Sequence, residues 1–136
     1  MTVYVLDSSA ILRFLDKEAG WDRVAAILAA ARNGSAELAV SAIQWGEVAG
    51  AVRKKLGPAV EIRALGRLTQ FAPRIESVTG EQAVRAAALK VDRKISYADA
   101  FAIDLAMESP DHALVTADYG FKSVSDLAQI EFLPAK

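Results

Sequence analysis

Val3-Tyr4-Val5-Leu6-Asp7 decides how the rest of the chain is read: an apolar run containing two β-branched residues, closed by a carboxylate. Such a run is predicted as a buried strand over residues 2 to 6. An acid straight after it lies at the carboxyl edge of a sheet, where open α/β folds place their ligand sites. A second stretch repeats the arrangement, because Ala113-Leu114-Val115-Thr116 is followed by Ala117-Asp118. Two strands are therefore expected to deliver acids to one edge.

Working outward from these two points, short apolar runs alternate with longer helical patterns, the signature of a parallel sheet covered by helices. Helices are predicted over 9 to 16 and 21 to 33, the second ended by Asn33-Gly34, before a strand over 36 to 40. Ser41 with Gln44 reads as a capping box for a helix to about Lys55, which Gly57-Pro58 breaks before a further helix over 59 to 71. Residues 74 to 77 form a weak strand. Thr79 with Gln82 opens a helix to about Lys94, with Ala83, Val84, Ala87 and Val91 as its buried stripe. A helix from about 98 to 108, a strand over 113 to 116, a turn or short helix over 118 to 122 and a last strand over 130 to 133 complete the chain. One α/β domain over residues 1–136 is expected, three-layered, with a central parallel five-stranded sheet and helices on both faces.

At 136 residues the chain can bury roughly two thirds of its unfolded surface, so it needs no covalent staples. It has no cysteine, which excludes iron–sulfur, thiolate–zinc and cysteine-nucleophile chemistry. Its one histidine, His112, rules out paired-histidine ribonuclease chemistry and is read as a loop residue. The opening MTVYVLDSS has neither the basic region nor the apolar length of a secretory signal, and Val24–Ala31 falls far short of the ~18 residues of a membrane span. A soluble, cytoplasmic protein without membrane contact is expected. Net charge is −1, so any contact with nucleic acid must come from local basic clusters: Arg53-Lys54-Lys55, Arg63 with Arg67, and Lys90, Arg93 and Lys94.

Two further acids lack the surroundings of surface charges. Three and four residues from Glu47 stand Ile43, Gln44, Gly50 and Ala51; around Asp99 stand Ile95, Ser96, Ala102 and Ile103. Neither has a local cation to pair with. Glu47 lies about 160–200° around its helix from Trp45 and Ala49, off the apolar face that continues through Val48, Val52 and Leu56. Gly46 and Gly50 beside it leave room for a backbone or substrate to approach. Asp99 is explained equally by capping with Ser96, yet an acid in a first helical turn also points at whatever lies beyond the helix start. Asp104, about 140° further round, is expected in a supporting or surface position rather than in the site.

The segments YVLDSSAIL, AIQWGEVAGAV, SYADAFAIDLA and LVTADYGF resemble, in order and interval, the four acidic motifs of PIN-domain ribonucleases. The wording, with ADAF and with TAD followed by Phe121, is most similar to VapC-type toxins of bacterial toxin–antitoxin pairs. The resemblance implies a metal-dependent endoribonuclease. It also implies Asp7, Glu47, Asp99 and Asp118 as the metal ligands and catalytic acids, Thr116 as a neighbouring hydroxyl, a homodimer, and a small antitoxin covering the acidic pocket. Oxygen-only ligands favour Mg²⁺ or Mn²⁺ over zinc. A nuclease-like fold kept only as a partner-binding module would have lost one or more of the acids, and none is lost. A housekeeping nuclease of the same fold is the other alternative. A phosphatase would need a second Asp where Ser9 stands, and the acidic pair of a signal receiver is missing.

Overall fold

The apolar runs become the strands of one sheet, with β1, β2 and β4 flanked on both sides. In the computed structural model, which describes residues 1–136, the order is β1 (Val3–Leu6), α1 (Ser8–Asp16), α2 (Trp21–Arg32), β2 (Glu37–Ser41), α3 (Ala42–Leu56) and α4 (Pro58–Thr69). There follow β3 (Arg74–Glu76), α5 (Gly80–Arg93), α6 (Tyr97–Ala106), β4 (His112–Thr116), a 3₁₀ helix (Tyr119–Val124) and β5 (Gln129–Phe132). The sheet runs β3-β2-β1-β4-β5 with every pair parallel.

Three layers follow from the two-residue period of a strand. Leu6, Leu38, Val40 and Val115 face one way, onto Ile11, Phe14, Val24, Ile27, Leu28, Val48 and Leu68 of the first four helices. Val3, Val5, Ala39 and Leu114 face the other way, onto Ile103 and Leu105 of α6 and onto Phe121 and Val124 of the 3₁₀ helix. No helix is long and apolar enough to cross a membrane.

Helix starts follow the predicted caps with one change. The Thr79 hydroxyl accepts from the Gln82 amide (3.1 Å) and the Ser96 hydroxyl from the Asp99 amide (3.0 Å). Ser41, however, accepts from Ile43 N–H, and the Gln44 side chain does not return to the cap. It donates instead to the Ala98 carbonyl at 2.6 Å, bridging α3 to the first turn of α6.

Three expectations are corrected. His112 is the first residue of β4, registered against Val3 and buried, with Nδ1 2.8 Å from the Leu105 carbonyl, so it is not in a loop. Asp104 is not a surface residue: it is buried and held by both nitrogens of the Arg85 fork at 3.0 and 3.2 Å. On α5 the buried side chains are Gln82 and Ala86, whereas Val84 and Val91 are 71% and 73% exposed. The buried face lies roughly a third of a turn from the predicted stripe, because Ala86 packs against Ala100 and Phe101 of α6, with Ala83 alone of the stripe joining that contact.

A pair of substitutions checks this orientation of α5. Val84→Lys is expected to change stability by no more than about 0.5 kcal/mol, and Ala86→Leu to lower it by about 1–3 kcal/mol through overpacking. Chemical denaturation of both variants measures the difference. The reverse order would put the predicted stripe back in the core.

Candidate active site

The topology fixes where a ligand can sit. β1 is flanked by β2 on one side and β4 on the other, so the switch point, where open α/β folds bind ligands in a crevice, lies at the carboxyl ends of β1 and β4. Asp7 and Thr116 stand there. The Asp7 amide continues the ladder to the Val115 carbonyl at 3.0 Å, and the Thr116 hydroxyl donates to Asp7 Oδ2 at 2.9 Å.

Asp7 is 2% exposed, and its two oxygens are treated differently. Oδ2 accepts from both Thr116 and the Ser9 hydroxyl (2.6 Å). Oδ1 is buried with no hydrogen-bond partner. Burial pushes the Asp7 carboxyl above its ordinary range; the Ser9 and Thr116 hydroxyls pull it back, and the charge of Asp118 adds to the rise. Ser9 also accepts from the Ala117 amide at 2.9 Å, so one hydroxyl ties the start of α1 to the end of β4.

Asp118 stands two residues past Thr116, whose hydroxyl accepts its amide at 3.0 Å. Its Oδ1 accepts from Gly120 N–H at 2.8 Å, capping the 3₁₀ helix. A Cβ at Gly120 would lie 3.0 Å from the same oxygen, so a larger residue there would press on the Asp118 carboxylate. Glu47 reaches the edge from α3 and accepts from the Ser8 hydroxyl at 3.1 Å. Burial raises its carboxyl, and so does the charge of Asp7. Asp99, in the first turn of α6, is pushed up to about 6, by burial first and then by the charges of Asp7 and Asp118, with a smaller push from Glu47 and an opposing pull from the Ser96 hydroxyl.

The four sequence-predicted acids thus lie within electrostatic reach of one another, with Asp7 at the hub. They are not drawn into a ready-made cage, because no three acidic or imidazole side chains stand together as metal ligands. What the residues present does fit a hard cation. All donors are oxygens, one buried carboxylate oxygen is unpartnered, and burial together with mutual repulsion raises three of the carboxyls.

Sequence reasoning missed Ser8, Ser9 and Gln44. The doubled serine directly after the strand-ending acid was the available signal for the first two. Gln44 carried none: it is fully buried on the Glu47 side of α3, and its amide both holds the α6 turn bearing Asp99 and leaves Oε1 without a partner. Gly46 and Gly50 admit no backbone of this chain, since a Cβ at either would meet nothing within 4 Å. Of the basic clusters, Arg53 is engaged by Glu61 (3.1 Å), Lys55 by Asp16 (3.7 Å) and Arg93 by both oxygens of Asp126 (2.8 and 2.9 Å). Arg93 is therefore not a free phosphate ligand as expected. Lys90, Lys94, Arg63 and Arg67 are exposed and make no ion pair.

The raised Asp99 carboxyl gives stability a definite pH dependence in the presence of a chelator. A folded-state value of about 6 against an ordinary 3.8 means the folded protein holds the proton more tightly. Stability is therefore lost as pH rises between those values and regained as it falls. Asp99→Asn is expected to melt higher than the parent at pH 7, and this advantage is expected to vanish as the pH is lowered through 6 toward 4. Thermal melts of both proteins across that range measure it; a constant offset would show that Asp99 is not held up.

The fold has counterparts among solved structures, and the sequence matches a family model. Residues 4–127 match the family model for the PIN domain. No curated protein matches the sequence. Among solved structures, VapBC2 of Rickettsia felis, bound to a DNA fragment from its promoter, is similar with a TM-score of 0.74 and 16% identity, covering 98% of this chain and 100% of that one. VapC20 of Mycobacterium tuberculosis, a toxin that cleaves the sarcin-ricin loop, gives 0.74 and 17%, covering 96% and 99%. VapBC-1 of nontypeable Haemophilus influenzae gives 0.66 and 18%, covering 96% and 98%. At these identities the structures share a fold, while the family model spans all but a few residues at the start and the stretch after 127, and on that match the chain belongs to the PIN-domain family.

Proposed function

We propose that this protein is a metal-dependent endoribonuclease, the toxin of a type II toxin–antitoxin pair, acting as one domain in which Asp7, Glu47, Asp99 and Asp118 hold Mg²⁺ or Mn²⁺. One observation carries the reading: Asp7 is buried with Oδ2 doubly hydrogen-bonded and Oδ1 bare, in the field of three other carboxylates. A carboxylate so placed destabilises the fold unless a cation offsets it. When bound, the ion would supply a site for the substrate phosphate and a water of lowered pKa.

The protein's own residues have distinct tasks. Ser9 and Thr116 both bind Oδ2 and so fix the Asp7 carboxylate, leaving Oδ1 as its unpartnered oxygen. Ser8 orients Glu47, and Asp118 is braced by the Gly120 amide. Asp99, with a value of about 6, is the acid best poised to exchange a proton near neutral pH. Lys90 and Lys94, free of ion pairs at the end of α5, supply positive charge for an RNA backbone near the start of α6. The VapBC structures it resembles are toxin–antitoxin complexes, which supports a cognate antitoxin as partner, and the resemblance to VapC toxins supports a homodimer. A partner-binding module without catalysis is the second reading, favoured by the absence of a closed acidic cage.

Cleavage of RNA is expected to require Mg²⁺ or Mn²⁺, to stop with EDTA, and to leave 5′ phosphates. Full activity in EDTA, or 2′,3′-cyclic phosphate ends, would point to other chemistry. Expression alone is expected to arrest growth, and co-expression of the protein encoded beside it to relieve the arrest. Asp7→Asn should abolish cleavage while the chelated protein melts at the same temperature or higher, since the substitution removes a buried charge. Asp104→Asn, whose carboxylate is committed to Arg85, should melt lower yet retain most cleavage per folded molecule. Both properties read from one preparation of each variant separate a ligand from a structural ion pair, and wild-type cleavage by Asp7→Asn would overturn the site.

A further inference from the structure

Tyr119 directly follows Asp118 and is 40% exposed, although its ring is firmly anchored. The phenol donates to the Leu133 carbonyl at 2.8 Å, just past the carboxyl end of β5, and the ring packs edge-on against Phe132 with centroids 5.5 Å apart. Its hydroxyl is thereby committed and its ring is held in place, while 40% of the residue stays open to solvent. Over the ring, 5.0 Å from its centroid, lies the ammonium of Lys122, which makes none of the protein's ion pairs.

Cation–π pairs on a surface are common, and this protein has five. Most of the others have an internal explanation. Arg23 over Tyr4 is held by Glu131, and the rings of Phe14 and Phe71 under Arg67 and Arg32 pack against the core. Lys17 over Trp21 is a further exposed pair, but it joins α1 to α2 and borders none of the four acids. Only Tyr119 adjoins an acid of the candidate site in sequence, and only there does a cation free of ion pairs cover a ring held at the carboxyl end of β5, one strand away from β4. A ring face with a movable ammonium beside it matches an unpaired nucleotide, which presents a flat base and an anionic phosphate at similar spacing.

We propose that Tyr119 and Lys122 form a nucleotide subsite flanking the carboxylates, the ring stacking one unpaired base of the strand and the ammonium binding an adjoining phosphate. The proposal rests on the RNA-cleaving reading above and extends it, by making one base position beside the carboxylates a point of contact. The Lys122 ammonium has only the ring to hold it, so it swings to the phosphate as the base takes its place. The backbone-anchored phenol fixes the tilt of the platform relative to Asp118, whose own amide and Oδ1 belong to the same turn.

Short oligoribonucleotides carrying 2-aminopurine at each position in turn provide the test, with binding followed in EDTA and cleavage followed in Mn²⁺. The wild type should quench the probe at one position, and Tyr119→Leu should lose that quenching, bind about tenfold more weakly and show a raised KM. Mn²⁺ affinity, read by electron paramagnetic resonance, and kcat should be unchanged. Tyr119→Trp should restore both quenching and affinity. Lys122→Gln, a change at an exposed side chain that cannot unfold the protein, should reduce the salt dependence of binding by the equivalent of one phosphate contact, about 0.7 in the log–log slope. If the wild type cleaves RNA while Tyr119→Leu and Lys122→Gln bind like it, the subsite is wrong and the nuclease reading stands. If the wild type neither binds nor cleaves RNA, both are overturned, and equal loss of Mn²⁺ affinity in Tyr119→Leu would reduce the ring to a structural support.

Discussion

Burying the carboxylate of Asp7 at the end of the central strand constrains nearly everything around it. A lone ionised acid in such a place costs several kcal/mol unless it is compensated. Here part of the compensation comes from two hydroxyls delivered by separate elements, Ser9 from the first turn of α1 and Thr116 from the end of β4, and it reaches only Oδ2, leaving Oδ1 without a partner. Their delivery depends on register: Leu6 opposite Val115 brings Asp7 level with Thr116, and a slip of one residue would turn both side chains toward opposite faces of the sheet. The parallel β1–β4 pairing and the polarity of the crevice are therefore one requirement rather than two.

That requirement separates the site into a rigid half and an adjustable half. Asp7 and Asp118 hang from neighbouring strands, and the Thr116 hydroxyl touches both, accepting from one amide and donating to the other's carboxylate. Glu47 and Asp99 come from helices whose positions on the sheet are set by packing. α3 and α6 share a direct bond there, the Gln44 amide to the Ala98 carbonyl, and it joins the turn that carries Glu47 to the turn that carries Asp99. Because Gln44 is fully buried, an apolar replacement of similar size would leave the Ala98 carbonyl to the helix alone and let the two acids drift relative to each other. The amide is oriented by its acceptor, since turning it over would set two oxygens against each other.

Much of this was legible in the sequence because acids after apolar runs report topology directly. Val3 to Asp7 and Ala113 to Asp118 located the two central strands and the edge they share, and the alternation of short and long apolar patterns gave a parallel sheet with helices on both faces. The order of strands was not legible, since periodicity says that a strand is buried without saying beside what. The face of α5 was misread for a related reason. Apolar side chains occupy both sides of that helix, and the choice between them depends on whether α6 presents room for Val84 or only for Ala86. Asp104 was expected in a supporting or surface position, and its burial was not legible because its partner, Arg85, lies on a different helix, out of range of any rule about spacing along one.

Gln44 shows where a local rule and a tertiary bond compete for the same side chain. Ser41-x-x-Gln44 satisfies the capping-box pattern, yet the Ser41 hydroxyl alone serves the cap, and the amide is drawn away to Ala98. Gln44 is fully buried, so its amide needs an acceptor inside the protein, and the Ala98 carbonyl supplies one at 2.6 Å. The same preference explains the serines beside Asp7. Ser8 and Ser9 open a helix and would be read as caps, but both hydroxyls go to acids of the site, and the helix begins with Asp7 in the capping position making no side-chain bond to it. Side chains that abandon the local partner their sequence position offers thus mark the region where the chain has spent its polar groups on holding carboxylates in place.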